Sequence, residues 1–388
     1  MIRVLELFAG IGACSKALTN LGIEHEIVDA VEINKYAIKS FNAIHGTNFE
    51  PQDITTWDKD IECDLIMHGS PCQDFSVAGR GAGGDKDSGT RSSLMYETLR
   101  IVEKVKPKYV IWENVKNLLS KKHRHNFDAY LDAMYDLGYI NNYKVLNAKD
   151  YGIPQNRERV FTVSILQDKI IYDDYNSNVR KDQDTIGTLT TNCGAQASRN
   201  GWKVIEKKID FIFPEPQPLE IRLKDILENN VDERYYLSDE QVFKIKLCDI
   251  SKTVRTGGRG SLDRHSWDIV PEPCAMIKTA NSKGYDLATD GDGIDLGYPN
   301  STTRRGRVGH GVAKTLPTSG TQGTLDDFRI RKLTPRECWR LMGFSDADFD
   351  KAKAAGISDT QLYKQAGNSI VVECLEAIFK SLEWPNMK

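Results

Sequence analysis

Apolar and polar positions along this 388-residue chain fall into two regimes. Up to about residue 167, short apolar runs alternate with stretches of helical spacing. Residues 2–8, 27–33, 63–68, 109–112, 143–146 and 159–165 read as strands. Helical spacing runs to about Leu21, from Ser92 to Val105 and from Phe127 to Leu137. Continuous apolar strands belong to sheets covered on both faces, and strand–helix alternation predicts an α/β fold with a Rossmann-like, mostly parallel sheet. After Gln167 the helical period thins, Gly, Ser, Thr and Asn rise, and Pro214-Glu215-Pro216-Gln217-Pro218 reads as a connector. The ending is regular again. Thr334-Pro335-Arg336-Glu337 is a capping box with proline at the first helical position, predicting a helix through Met342, and residues 370–382 predict another. The expected division is a large domain over 1–170, a smaller β-rich irregular domain over 171–328, and a return to the large domain over 329–388.

Composition narrows the chemistry. A net charge of −3 and a pI near 6.2 give no global basic field, so a polyanion would need a local cleft. Eight cysteines without a CxxC pair argue against a disulfide framework or a structural zinc site. The N-terminus enters a strand directly and no apolar run reaches membrane-spanning length, so a cytoplasmic protein is expected.

The polar residues of interest stand at the carboxyl ends of the predicted strands, where open α/β sheets hold ligands. The first strand runs into Phe8-Ala9-Gly10-Ile11-Gly12, a turn that lets a ligand approach backbone and helix-end amides. A third fingerprint glycine is missing, which counts mildly against a pyrophosphate and leaves a smaller nucleoside cofactor open. Glu32 ends the second strand, where a carboxylate can accept ribose hydroxyls; the alternative is a solvated strand end. Asp53-Ile54 closes a possible base pocket. Gly69-Ser70-Pro71-Cys72-Gln73 stops the third strand and places one thiol at a mouth, before a loop rich in glycine and charge. Most cysteines are inert buried hydrophobes, but an accessible thiol there suits a nucleophile. Glu113-Asn114-Val115 ends the fourth strand, and Gln155-Asn156-Arg157-Glu158-Arg159 precedes the last.

The middle region carries a weak repeat. Residues 186–191, 251–258 and 313–320 each run Thr-apolar-x-Thr into Gly/Ser-rich chain, as recognition loops or as ordinary turns. Arg255, Arg259, Arg264, His265, Arg304, Arg305 and Arg307 are expected to form a positive face.

In this order, these motifs resemble those of the DNA (cytosine-5) methyltransferase family, across nearly the whole chain apart from the variable middle. Phe8–Gly12 is similar to the family's first motif, Pro71-Cys72-Gln73 to its nucleophile motif and Glu113-Asn114-Val115 to its acid motif. Residues 155–159 resemble its Gln-x-Arg-x-Arg motif, residues 331–337 its ninth and Gly367-Asn368-Ser369 its tenth. The resemblance implies a class I S-adenosylmethionine-dependent methyltransferase fold with a target-recognition domain, acting on double-stranded DNA.

It also implies roles. Cys72, Glu113, Arg157 and Arg159 become the catalytic set. S-adenosylmethionine, leaving as S-adenosylhomocysteine, would meet Phe8, Ala9, Gly10, Ile11, Gly12, Glu32, Ile33, Asp53, Ile54, Pro71, Asn368 and Ser369. DNA contacts are expected at Gln73, Ser76, Gly79, Arg80, Thr253, Arg255, Arg259 and Thr315. No metal, membrane or obligate protein partner is expected, and the chain should act as a monomer on DNA in a bacterial cytosol or nucleoid. The other cysteines (14, 63, 193, 248, 274, 338 and 374) are expected to be structural. The rivals are a tRNA cytosine methyltransferase and a catalytically silent DNA-binding relative; an NAD-linked oxidoreductase would leave Pro71-Cys72 unexplained.

Overall fold

The computed structural model describes residues 1–71, 94–167, 211–249, 274–326 and 329–384, with backbone alone at 243–249 and 274. The first part of the chain forms β1 (Ile2–Leu7), α1 (Ala13–Asn20), β2 (His25–Val31), α2 (Lys35–His45), β3 (Leu65–His68), α3 (Met95–Val105), β4 (Tyr109–Val115) and α4 (Arg124–Asp136). Then come β5 (Tyr139–Asn147), the two-residue β6 (Gln155–Asn156) and β7 (Glu158–Leu166). Six strands make one sheet in the order β2-β1-β3-β4-β7-β5.

β1 pairs in parallel with β2 and β3, and β3 with β4. β7 is antiparallel to both β4 and β5, so one strand of six is reversed. The mostly parallel sheet expected from the apolar runs is therefore present. An apolar run specifies burial but not direction, so the reversed strand could not be read from its own residues. β2 ends at Val31, and Glu32 stands just beyond it.

The sheet is buried on both faces because its strands alternate between two cores. Val4, Leu65, Met67, Ile111 and Val163 face one cluster, shared with Ala17 and Leu18 of α1. Leu5, Ile66, Val110 and Trp112 face the other, with Ile101 and Val102 of α3 and Phe127 and Tyr130 of α4.

Beyond the sheet the chain is less regular. Residues 211–222 form neither helix nor strand, with Phe211 and Phe213 buried against the large core and Gln217 N–H donating to Asp150 O (2.8 Å). The connector is thus a strap lying on the large sheet. Next come α5 (Asp239–Ile245), β8 (Lys246–Asp249), β9 (Cys274–Lys278), β10 (Tyr285–Thr289), β11 (Gly293–Asp295), β12 (Val308–Gly309), β13 (Ala313–Lys314), β14 (Gln322–Asp326) and β15 (Arg329–Lys332). They form a three-stranded sheet, β10-β9-β8, and a four-stranded one, β12-β11-β14-β15. β13 pairs in parallel with β6, just ahead of β7, as a separate two-stranded sheet.

The chain closes with α6 (Pro335–Arg340), α7 (Asp346–Ala354), α8 (Asp359–Asn368) and α9 (Val372–Lys380). The predicted capping box is present. Thr334 Oγ1 accepts from Glu337 N–H (3.2 Å), and Glu337 accepts from Thr334 N–H (2.8 Å). The same buried carboxylate accepts two bonds of 2.9 Å from Arg331, a bidentate pair that locks β15 to α6. α9 buries Leu375, Ile378 and Phe379 in the core shared with α1, returning the end of the chain to the first motif.

Candidate active site

The turn after β1 is constrained residue by residue. Phe8, Gly10 and Gly12 all have positive φ (54°, 58° and 82°). At Gly12 a β-carbon would collide with the His45 and Phe41 rings, so backbone angle and space both demand glycine. Ala9 N–H bonds to Val31 O (3.1 Å), and Glu32 Oε2 accepts from Gly10 N–H (3.0 Å). Glu32 Oε1 accepts from Asn34 N–H (2.8 Å), and burial pushes its carboxyl pKa up.

Next to Glu32, Ile33 is 69% exposed, an uncovered aliphatic side chain beside a strand-end carboxylate. The segment carrying Asp53 and buried Ile54 is pinned from two sides. Asp29 accepts from Gln52 Nε2 (2.7 Å) and Trp57 Nε1 (2.8 Å), while Arg100 donates to Ile54 O and Trp57 O (both 2.9 Å). Asp53 Oδ1 accepts from its neighbour Thr55, at N–H (2.9 Å) and hydroxyl (2.8 Å).

One pocket collects the strand ends. Its wall includes Phe8, Gly10, Met67, Gly69, Glu113 and Asn368, with Glu6, Ser369 and Ile370 beside them. Sequence reading missed Glu6. It is a buried carboxylate inside an apolar strand, and it accepts from Ser15 N–H (3.0 Å) and from the Ser15 hydroxyl in the first turn of α1. Burial raises its pKa to about 7. A charge set among core residues in the second half of the strand, beyond half-buried Arg3, was the available signal.

Glu113, on β4, is buried. Its carboxyl pKa is raised by burial, against the opposing pull of Arg159 and Arg157. Arg159 Nε lies 3.0 Å from Glu113 Oε1, an ion pair rather than an aligned hydrogen bond. A β-carbon on Gly69 would stand 3.7 Å from Glu113 Oε2, so β3 ends directly alongside this carboxyl.

The end of β3 is held from the opposite face. Trp112 Nε1 donates to Ser70 Oγ (3.0 Å), and Asn114 Nδ2 reaches Ser70 O and Oγ (both 3.4 Å). Pro71, half-buried, follows at once.

The Gln-x-Arg-x-Arg run is strand periodicity with three different jobs. Gln155 Nε2 donates to Leu341 O (3.0 Å). Arg157 is buried, with Nη2 on Ser369 O (2.7 Å) and Gly367 O (3.2 Å). Arg159 faces Glu113. The first two bolt this segment to the last quarter of the chain, and the third enters the site. Asn368 is exposed at the pocket rim.

Several expected residues lie outside the described residues: Cys72, Gln73, Ser76, Gly79, Arg80, Thr253, Arg255 and Arg259, with Cys193, Arg264, His265 and the first two Thr-rich loops. Thr315 is exposed, and its hydroxyl donates to Asn156 O (3.0 Å). Arg307 corrects the expected positive face, because it is buried and donates to backbone carbonyls instead. Cys14, Cys63, Cys338 and Cys374 are buried free thiols, and burial pushes the pKa of each up, that of Cys63 to about 12, so none is a ready nucleophile. No group of three metal-ligating side chains occurs among the described residues, nor any helix long and apolar enough to cross a membrane.

The family model for C-5 cytosine-specific DNA methylases matches residues 2–384. The chain belongs to that family. A DNA (cytosine-5) methyltransferase accounts for a glycine turn and a strand-end acid meeting at one pocket, with an arginine paired to that acid. Among relatives, the chain is 32% identical to the orphan methyltransferase M.SPBetaI of Bacillus phage SPbeta, covering 98% of this chain and 97% of that one. It is 33% identical to the type II methyltransferase M2.ScrFI of Lactococcus lactis subsp. cremoris, covering 98% and 99%. Two solved structures share the methylase fold. They are the S. pombe Dnmt2 methyltransferase (20% identity, TM-score 0.53, covering 98% and 97%) and the Entamoeba histolytica methyltransferase EhMeth (15%, 0.58, 98% and 97%).

Proposed function

We propose that this methyltransferase moves a methyl group from S-adenosylmethionine to C5 of a cytosine flipped out of a specific duplex DNA sequence, through a transient Cys72–C6 bond. The observation that carries the reading is the buried Glu113, its pKa raised, facing Arg159 and the end of β3. Pro71 leads directly from there into Cys72.

The residues present fit a nucleoside methyl donor. The left-handed turn at Gly10 opens backbone to a ligand, Glu32 offers a carboxylate for ribose hydroxyls, and exposed Ile33 offers an apolar face to a base. Asn368 and Ser369 would hold the polar end, with Arg157 positioning them through the carbonyls of Gly367 and Ser369. When bound, the donor supplies an electrophilic methyl whose departing electron pair stays on sulfur.

C5 of cytosine is a weak nucleophile until a thiolate adds at C6. Cys72 would make that bond, and the displaced ring electron pair would move toward N3, where protonated Glu113 donates its proton or a strong hydrogen bond. Arg159 would keep Glu113 oriented and meet the base carbonyl. The activated C5 then takes the methyl. Loss of the C5 proton returns an electron pair to the ring and expels the Cys72 thiolate. A stacked base cannot reach a pocket at the strand ends, so flipping is required, with Gln73, Ser76, Gly79 and Arg80 in the loop that closes over it. Thr253, Arg255, Arg259 and Thr315 would contact the target duplex.

We place recognition in residues 171–328 and chemistry in 1–170 with 329–388. The biological setting we propose is restriction–modification or protection of phage or host DNA, as the type II and orphan relatives suggest by name. Bisulfite sequencing of DNA from cells expressing the chain tests the reading. Conversion-resistant cytosines in one sequence context are expected, and uniformly convertible DNA would overturn it.

A further inference from the structure

Two aromatic residues among those described hold left-handed backbone, Phe8 (φ 54°) and Tyr298 (φ 52°). Bulky side chains avoid that region, and where they keep it the surroundings must impose it. Phe8 lines the candidate pocket. Tyr298 stands in the connection between β11 and β12, with 74% of its surface exposed.

The loop is rigidly built. Buried Arg307 donates through Nη1 to Asp295 O and Gly297 O (both 3.2 Å) and through Nη2 to Tyr298 O (2.5 Å). Asp295 accepts from Gly297 N–H (2.9 Å) and from Arg304 Nε (2.5 Å), and Ser301 N–H donates to Tyr298 O (3.0 Å). The Arg304 guanidinium lies 5.1 Å from the centre of the Tyr298 ring. A guanidinium buried to fix three carbonyls, and a second one bracing the ring, hold an aromatic side chain out in water. Packing of the small sheets does not need this, since their core is made by Ile277, Ile294, Leu325 and Ile330.

The loop is linked to the candidate site through a second segment. Leu296 N–H bonds to Thr321 O (2.9 Å), and three residues earlier Thr318 packs on Gly367, the neighbour of pocket residue Asn368. Arg305, beside the braced pair, is exposed.

We propose that Tyr298 is a DNA-contacting residue, its ring stacking on a base of the target duplex with Arg305 beside it against phosphate. The inference rests on the methyltransferase reading above and assigns part of its DNA contact to a loop that no motif marks. A planar ring held in advance stacks on a base without losing side-chain freedom on binding.

The test uses the full chain and a duplex oligonucleotide carrying the sequence that bisulfite mapping identifies. Its dissociation constant is read by fluorescence anisotropy at fixed salt. Tyr298→Ala and Tyr298→Gly are expected to weaken binding about tenfold or more, and Tyr298→Phe by no more than about twofold. Glycine relieves the left-handed backbone, so the melting temperature of Tyr298→Gly should hold or rise while its DNA affinity falls, a combination that loss of structure cannot produce. Affinity for S-adenosylhomocysteine, measured by titration calorimetry, should stay constant. Unchanged DNA affinity in a folded Tyr298→Gly chain would overturn the inference, as would an equal loss in Tyr298→Phe. A wild-type chain that methylates no duplex cytosine would instead overturn the parent reading, and this inference with it.

Discussion

The rim of the large sheet and the Tyr298 loop of the small sheets are prepared for use by opposite means. At the rim, carboxyls are taken out of water until their pKa values rise, Glu6 to about 7 and Glu113 in the same direction. On the loop, backbone is forced into a disfavoured conformation and an aromatic ring is left in solvent. On the proposed reading, the first arrangement would control protons on an enclosed guest, and the second would offer a stiff surface to DNA. Damage at the rim should therefore appear in turnover, and damage in the small sheets in DNA choice and affinity.

Cys72→Ser should give the largest effect. Methyl transfer from labelled donor is expected to fall by a factor on the order of 10^4 or more, with cofactor and DNA binding kept. Near-wild-type turnover would remove the thiol from the mechanism. Glu113→Gln comes next, with a loss of about 10^2-fold or more in kcat. Because burial raises the Glu113 pKa, kcat should decline as pH rises through it, and the glutamine variant should lose this limb. A pH profile identical in both proteins would break the assignment.

Exchanging residues roughly 185–325 with those of a relative should move the methylated sequence while the chemistry persists, as bisulfite mapping would reveal; an unmoved target site would erase the contrast between the two regions.

Arg157→Met tests the joint between segments. It takes a buried guanidinium from the carbonyls of Gly367 and Ser369, so stability should drop by roughly 2–4 kcal/mol in thermal denaturation. The KM for the methyl donor should rise more than kcat falls. An unshifted melting temperature would argue against the clamp.

The smallest effects are in stability against pH. Burial lowers the pKa of His45 to about 4 and of His68 to about 3. The unfolded chain takes up those protons first, so their contribution is intact above the ordinary histidine value near 6.5 and is lost as pH falls from there toward 3–4. Glu6 acts in the other sense. Its neutral form is favoured in the fold, so its contribution is present below about 4.5 and is lost as pH rises to about 7. Glu6→Gln should remove that loss alone, so stability should change more favourably with rising pH across that window than in the parent chain, by at most about 1.4 kcal/mol per pH unit. Denaturant midpoints at pH 5 and 7 that shift equally in both proteins would contradict this.

What could be read in advance follows from the range of each interaction. The glycine turn, Glu113 at a strand end and the capping box at Thr334 are local patterns, written in neighbouring residues. Arg157 was not legible as a clamp, because its carbonyl partners at 367 and 369 lie more than two hundred positions away and carry no side-chain signature. Arg307 reads as a surface cation in a charged stretch, and the fold instead buries it under its own loop. Tyr298 looks like any turn tyrosine until the sign of its φ is known. Nor did Trp112 announce that it steadies Ser70, two residues before the thiol, since its place in an apolar strand is explained by the core alone.

Covalent trapping tests the central claim most directly. The chain is incubated with S-adenosylmethionine and a duplex carrying 5-fluorocytosine at the mapped target, then digested for mass spectrometry. The expected result is a stable protein–DNA adduct on the peptide containing Cys72, absent from Cys72→Ser. No adduct, or one on a different cysteine, would contradict the account.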